Sequence, residues 1–443
     1  MTSMPTSIAR LPDWSSLSKG GRMAALEQCR RRLAYLGRKL HAVEHIYDAE
    51  TVHEGPLSGL PYVAKDMYAT GRSQPSWGCS TPQAPALPRA SVIDRLDQAG
   101  ASLIGAATMT ELAYEPSGMA RRRALNPWRF DAIPGGSSTG SAILVAAGCC
   151  FAALGSDTGG SVRIPAHCCG ISALKPGYGR IALDGAMALA PSLDTFGIFA
   201  RSAADLALLW PIVSREPVAL SEKLPRAVVL QDAFEASDAE IARVCRSAVS
   251  VLAECGMRIE EVRGFSEETD VHALTVLLAE PAREHRVRVD DPATDATLRK
   301  RIGKGLVITD GELATAIAAR DELRDQFILS CLGSNLGSND VVVLPVMPIR
   351  TPDVNEVDPA SAHFNPRVLY ALSRFTRFVN YLGLPALAVP AGFDSDGLPV
   401  GLQLIGRPGS EAVLLQIAVR LQERTDWHGR VPAAVASDIA GEP

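Results

Sequence analysis

Two stretches crowded with glycine and serine carry much of the chemical potential of this chain: Pro134-Gly-Gly-Ser-Ser-Thr-Gly-Ser141 and Gly155-Ser-Asp-Thr-Gly-Gly-Ser-Val-Arg-Ile-Pro-Ala166. Small residues let the backbone approach a ligand closely, and successive N–H groups can converge on one oxygen. A phosphate cradle is one reading, but neither GxxxxGKS nor GxxxxGKT is present, and no GxGxxG follows a strand. Taken alone, each segment reads more readily as a turn. A third feature changes the balance: Lys65 closes the apolar run in PYVAKDMY. A lysine there is either a surface residue with a snorkelling stem or a buried functional amine. The order is Lys65, then Ser137 72 residues on, then Ser161 after 24 more.

These residues need elements to hold them. Residues 22–46 place Met23, Leu26, Leu33, Leu36 and Leu40 at helical spacing among many basic residues, which predicts an amphipathic surface helix. A short apolar strand delivers Lys65. A helix over 91–99 ends at Gly100, a strand follows over 102–105, and Thr108 to Glu111 has capping-box spacing for another helix. Residues 138–147 read as a wholly apolar helix and 150–154 as a buried strand. A linker at 212–224 precedes a strand at 226–230 and a helix at 238–252. Residues 265–338 are charged and helical in character, with glycine punctuation near 333–337. Strands at 341–345, 383–392 and 397–406 and a helix at 410–423 complete the series. Alternating helices and short apolar strands predict an α/β fold with a mostly parallel sheet covered on both faces.

Composition narrows the function classes. Apolar residues make up 47% and charged residues 21%, which is globular rather than disordered. The net charge of −5 lacks the basic excess of a nucleic-acid binder, and 5% aromatics leave little for base stacking. The nine cysteines include adjacent pairs at Cys149-Cys150 and Cys168-Cys169, which is not zinc-site spacing. They read as small buried hydrophobes in a reducing compartment. The longest nearly unbroken apolar run, residues 142–155, is too short to cross a bilayer. No secretory leader is visible at the N-terminus. The expectation is a cytoplasmic protein without nucleic-acid or membrane partners.

With Lys65, Ser137 and Ser161 in this order, the chain resembles the amidase signature family of serine hydrolases. The matching stretches are GPLSGLPYVAKD (55–66), NPWRFDAIPGGSSTGSAILVAAG (126–148), GSDTGGSVRIPAHCCGISALKPGYGR (155–180), APSLDTFGIFARSAADLALL (190–209) and GLPALAVPAGFDSDGLPVGLQLIGRP (383–408). The resemblance implies one α/β domain over 1–443 with a large twisted mixed sheet between helical layers. Its parts would be the N-terminal helix (22–46), a catalytic core (50–212), a variable substrate-side region (213–376) and a C-terminal part of the core (377–425).

It also implies roles. Ser161 matches the nucleophile, Ser137 the bridging serine held on a cis peptide after Gly136, and Lys65 the general base. The backbone N–H groups of Thr158, Gly159, Gly160 and Ser161 match the oxyanion loop. The physics agrees: a serine hydroxyl needs an adjacent base, and a lysine serves when burial keeps it neutral. Asp157 and Arg163 read as a buried ion pair shaping the nucleophile turn. Ser138 and Ser141 read as loop hydrogen-bonders, Cys168 and Cys169 as core, and His167 as outside the chemistry. No cofactor or metal is implied.

The implied reaction is cleavage of a carboxamide C–N bond through a Ser161 acyl-enzyme, with esters or carbamates open to the same machinery. The alternatives are the glutaminase subunit of a tRNA-dependent amidotransferase and an inactive binding member of the family. The partner is a small-molecule amide, and a homodimer is left open. Two departures stand out. Thr139 occupies a position where the family has glycine, so its backbone must be regular or well supported. Arg121, Arg122 and Arg123 precede Asn126-Pro127, where they form a solvated face or meet an anionic substrate. Specificity is expected from residues 265–375 and from the surroundings of Trp77, Met119 and 377–382.

Overall fold

A computed structural model describes residues 14, 17–48, 54–80, 86–119, 123–218, 224–335 and 339–440. Arg121, Arg122, most of the polar lead-in, part of the linker and residues 336–338 lie outside the described residues. Among the described residues eleven strands join in one sheet: β1 (Val43–Ile46), β2 (Pro61–Lys65), β3 (Ser102–Ala107), β4 (Ala152–Asp157), β5 (Ser172–Lys175), β6 (Thr195–Ala200), β7 (Ala227–Leu230), β8 (Ile259–Val262), β9 (Val341–Pro345), β10 (Ala386–Phe393) and β11 (Pro399–Ile405). Their spatial order is β1-β3-β2-β4-β6-β5-β10-β11-β9-β7-β8.

The sheet is mixed, as the family resemblance implies, rather than mostly parallel, as the alternation of helices and strands predicts. Pairings β2–β3, β2–β4, β7–β8 and β7–β9 are parallel. Pairings β1–β3, β4–β6, β5–β6, β5–β10, β10–β11 and β9–β11 are antiparallel. Short runs that are apolar on both faces carry no information about direction. The tight turn between β10 and β11, in which Gly397 N–H donates to Asp394 O at 3.1 Å, forces one reversal that the apolar pattern does not show. The central strands are buried along their whole length, because helices cover both faces. The edge strands β1 and β8 are only partly buried.

The helices used below are α1 (Lys19–Arg32), α2 (Ser91–Gln98), α3 (Thr139–Ala146), α4 (Arg163–Cys169), α5 (Ala203–Ser214), α6 (Ala239–Glu254), α7 (Glu267–Glu284), α8 (Ala296–Gly305), α9 (Arg377–Tyr381) and α10 (Glu411–Glu423). Two expectations need correction. The helix expected over 22–46 stops early: α1 runs on through a π-helical turn at Leu33–Gly37, and residues 43–46 become edge strand β1. Helix propensity there yields to the hydrogen bonds an edge strand makes with β3. The capping-box spacing at Thr108 to Glu111 opens only a three-residue 3-10 turn, Glu111–Ala113. The Thr110 hydroxyl donates forward to Glu115 O at 3.0 Å instead of capping, and Leu112 and Ala113 sit at φ 51° and 56°.

Two close contacts set where the loops of the site lie. All eight residues of α3 are buried, and Gly140 in its first turn donates N–H to Thr108 O at 2.8 Å. A Cβ at Gly140 would stand 2.6 Å from Thr108 N, so the helix lies against backbone and has nowhere to move. On the other side, Arg377 of α9 grips Asp270 of α7 through Nε and Nη2, both at 2.7 Å. This bidentate pair fixes a helix of the middle region to the core. We expect Gly140→Ala to lower stability by roughly 1–3 kcal/mol, as overpacked sites do. The check is a lower urea midpoint at an unchanged denaturant slope.

Candidate active site

Parallel pairing of β2 with β4 sets Ala64 opposite Leu154, so Lys65 at the end of β2 lies beside the last residues of β4. Its Nζ donates to Ser137 Oγ at 2.7 Å and to Ser156 Oγ at 2.9 Å. The lysine is completely buried, and among the described residues it forms no salt bridge. Burial without a close counter-ion brings the amine down from 10.5 to about 7, against the opposing fields of Asp194 and Asp157. An amine in that range is neutral for part of the time near neutrality and can accept a proton.

Ser137 stands in the loop before α3, after a cis peptide from Gly136. Stitches on both sides hold this loop. Gly136 N–H donates to Pro116 O at 2.7 Å. Ser138 Oγ donates to Ser156 O at 3.1 Å and accepts from Ser156 N–H at 3.3 Å. Ser141 Oγ donates to Leu154 O at 2.9 Å. Thr139 is the first residue of α3 and has no positive φ, so a threonine is tolerated there.

The turn from β4 into α4 is organised by one carboxylate. Asp157 accepts Gly160 N–H at 2.7 Å and Val162 N–H at 3.1 Å, and takes Arg163 through Nη2 at 2.9 Å and Nε at 3.0 Å. Both side chains of the pair are fully buried. Burial alone would raise the acid, but Arg163 and the N–H donors hold it at about 2. Arg163 spends its other donors on Gln403 of β11 at 2.6 Å and Asn380 of α9 at 2.5 Å. Gly160 sits at φ 129°, and Thr376 Oγ1 donates to Gly159 O at 2.6 Å, which fixes the orientation of that peptide. The Gly160 N–H is therefore committed to Asp157. Among the described residues no acceptor takes the N–H groups of Thr158, Gly159 or Ser161.

Ser161 follows this turn, is 8% exposed, and lines a cavity of about 470 Å³ together with Thr158 and Gly159. No hydrogen bond joins its hydroxyl to Ser137 in this state. The Thr158 hydroxyl donates to Asp194 at 2.6 Å, and Asp194 also accepts Leu189 and Ala190 N–H at 2.8 and 3.1 Å. Burial pushes Asp194 up to about 6. His167 turns away, accepting Gly401 N–H on Nδ1 at 3.0 Å, and burial drives it down to about 3. Cys168 and Cys169 are buried in the core.

Sequence reasoning overlooked four of these residues. Ser156 and Asp194 lay inside the family-like stretches, where a serine beside the glycine-rich turn and an acid after small residues were available signals. Thr376 and Asn380 reach the turn from more than 200 residues away and carried no local signal. Trp77, Met119 and residues 377–382 do not line the cavity, whereas 274–278, 296–304 and 359–373 contribute to its wall. Arg123 faces elsewhere, donating to Phe130 O at 2.8 Å.

The family model described as Amidase matches residues 36–415, and the chain belongs to the amidase signature family. It is similar to the A subunit of glutamyl-tRNA(Gln) amidotransferase from Halorhodospira halophila, 35% identical over 85% of this chain and 86% of that protein. The corresponding protein of Chloroflexus aggregans is also 35% identical, over 85% of each chain. Among solved structures, a crystal structure of an amidase superposes with a TM-score of 0.83 at 29% identity, over 94% of this chain and 100% of that one. The A subunit of the Thermotoga maritima glutamyl-tRNA(Gln) amidotransferase gives 0.81 at 25% identity, over 98% and 99%.

The burial of Lys65 has a consequence for stability. Between pH 7 and 10.5 the unfolded chain holds a proton on this lysine that the folded chain releases, so the lysine costs stability, and the cost shrinks as pH rises. Below pH 7 the full cost applies. We expect the gain in urea midpoint of Lys65→Met over the parent to fall steadily from pH 7 to pH 10. A difference independent of pH would show that the lysine carries no such burden.

Proposed function

We propose that the protein hydrolyses a carboxamide C–N bond through an acyl-enzyme on Ser161, with Ser137 as proton relay and Lys65 as general base. The observation that carries this reading is the fully buried Lys65 amine, 2.7 Å from Ser137 Oγ and brought down to about 7. Neutral Lys65 takes the Ser137 proton as Ser137 takes that of Ser161, and Ser161 Oγ adds to the amide carbon. The oxygen of the tetrahedral intermediate is received by N–H groups of Thr158, Gly159 and Ser161, while Asp157 keeps Gly160 in place. The proton returns through Ser137 to the leaving nitrogen, ammonia or an amine departs, and water then hydrolyses the ester by the same route. Gly136, Ser138, Asp157 and Arg163 position the two loops. A cytoplasmic setting belongs to the same proposal, supported by nine cysteines that are all free thiols. No helix among the described residues is long and apolar enough to cross a membrane.

A second reading has its own support. The sequence relatives at 35% identity are named as subunits of an amidotransferase, and they favour an ammonia-releasing glutaminase subunit over a stand-alone amidase. The two readings share the chemistry and differ in partners. Purified alone, an independent amidase turns over simple amides, whereas the glutaminase component of a complex needs its partners for full activity.

Ser161→Ala is expected to abolish turnover with the fold retained, and a fluorophosphonate probe to label Ser161 alone. Labelling that persists in Ser161→Ala would falsify the nucleophile. The rate kcat/KM should rise with pH through about 7 as Lys65 loses its proton, and then level off. Lys65→Arg should lose several orders of magnitude, since a guanidinium does not deprotonate. Near-parental turnover by Lys65→Arg would remove the lysine from the mechanism.

A further inference from the structure

The cavity beside Ser161 has two chemically distinct walls. Near the nucleophile turn it is apolar: Ile164, Leu189 and the α7 residues Leu274, Leu277 and Leu278 face it. A Cβ placed on Gly159 would stand 3.0 Å from Leu277, so the leucine wall lies directly against that turn. Its size falls within the roughly 300–1,000 Å³ of small-molecule sites.

The other wall is a face of α8. Ala296, Thr297, Lys300, Arg301 and Lys304 all line the cavity, and their spacing puts them on one side of the helix. Buried Leu298 and Ile302 lie between them in sequence and anchor the helix. Three cations thus border the space, and among the described residues no aspartate or glutamate lines it. Arg301 is partly neutralised by Glu115 at 3.7 Å. That carboxylate is itself taken by Ser117 N–H and Oγ and by Met119 N–H. Further carboxylates stand behind the lining and are engaged: Asp295 caps Leu298 N–H at 2.9 Å, Glu111 accepts Asp295 N–H at 3.3 Å, Asp194 accepts from the Thr158 hydroxyl at 2.6 Å, and Asp270 pairs with Arg377. Lys300 and Lys304 are exposed at the mouth and have neither hydrogen bond nor ion pair among the described residues. The remaining polar groups of the lining are hydroxyls, such as those of Tyr114, Tyr370 and Ser373, which are poor counterparts for an ammonium group.

We propose that the substrate is an amide whose acyl part is apolar and ends in an anionic group, with the chain along α7 and the anion at Lys300 and Lys304 of α8. This rests on the amide-hydrolysis reading and deepens it. It weighs against free glutamine as the substrate, because the α-ammonium of an amino acid would enter a cationic, carboxylate-free space.

The test measures binding and turnover separately. Titration of the Ser161→Ala protein compares hexanamide, the monoamide of hexanedioic acid and 6-aminohexanamide, which share chain length and differ in terminal charge. The monoamide should bind about tenfold more tightly than hexanamide, as expected of two partly screened charges at a site mouth. That preference should shrink in high salt. In Lys300→Glu/Lys304→Glu the order should reverse toward 6-aminohexanamide, which a merely structural role would not produce. L-glutamine should bind more weakly than glutaramate, which lacks only the ammonium. Equal affinity for hexanamide and the monoamide, or tighter binding of glutamine than of glutaramate, would overturn the proposal. Turnover by the parent enzyme tests the hydrolysis reading instead: if no amide is cleaved while the binding order holds, only that reading fails.

Discussion

The site is organised around the burial of an amine without a counter-ion. Removing a charged ammonium from water is costly, so burial without a counter-ion makes its proton easier to lose. Lys65 is in that position: it is sealed at the end of β2, bonded to two hydroxyls, with Asp194 and Asp157 acting on it only through their fields. A salt bridge would have held the amine in its charged form and left it unable to accept a proton near neutrality. Ser137 and Ser156 satisfy the nitrogen without fixing its charge. Their own positions follow from the need to meet it, which explains why the loop before α3 is stitched to β4 through Ser138 and Ser141.

Around this weak point the structure places a strong one. The Asp157–Arg163 pair is equally buried, but here charge is matched by charge and by further hydrogen bonds. Breaking such a pair leaves an uncompensated buried ion, so it acts as a rigid brace. It fixes the backbone turn that ends at Ser161, and through Gln403 and Asn380 it ties that turn to the last strand and to α9. One acid therefore sets the geometry of the turn, while a different one, Asp194, holds the Thr158 side chain. Two buried carboxylates thus differ in state, about 2 against about 6, because only one of them faces a guanidinium.

The polar cluster around Lys65 and the cavity wall lie on different parts of the chain. Lys65, Ser137, Ser156 and Ser161 come from β2, β4 and the loops between residues 134 and 163. The cavity wall comes from α7, α8 and the 359–373 segment, fastened to the core by the Arg377–Asp270 clamp. The fold itself is shared with both an amidase and an amidotransferase A subunit.

Lys65, Ser137 and Ser161 could be singled out in sequence, because what marks them is local. Gly-Gly-Ser turns need small residues in fixed order, and a lysine closing an apolar strand is conspicuous. Strand and helix positions such as β9, β10, α6 and α10 were equally legible, since apolar runs and helical periodicity are local properties. Sheet direction was not, because a strand apolar on both faces pairs equally well either way and its neighbours are chosen by distant segments. Nor was the edge strand at 43–46, whose partner β3 lies some sixty residues on. Ser156, Asp194, Thr376 and Asn380 gained their places only when the fold brought them to the turn that ends at Ser161. The spending of Gly160's N–H on Asp157 and the gathering of Lys300, Arg301 and Lys304 on a cavity wall were likewise decided by tertiary structure, because hydrogen-bond partners and cavity faces are set by packing across the fold and have no signature in the order of residues.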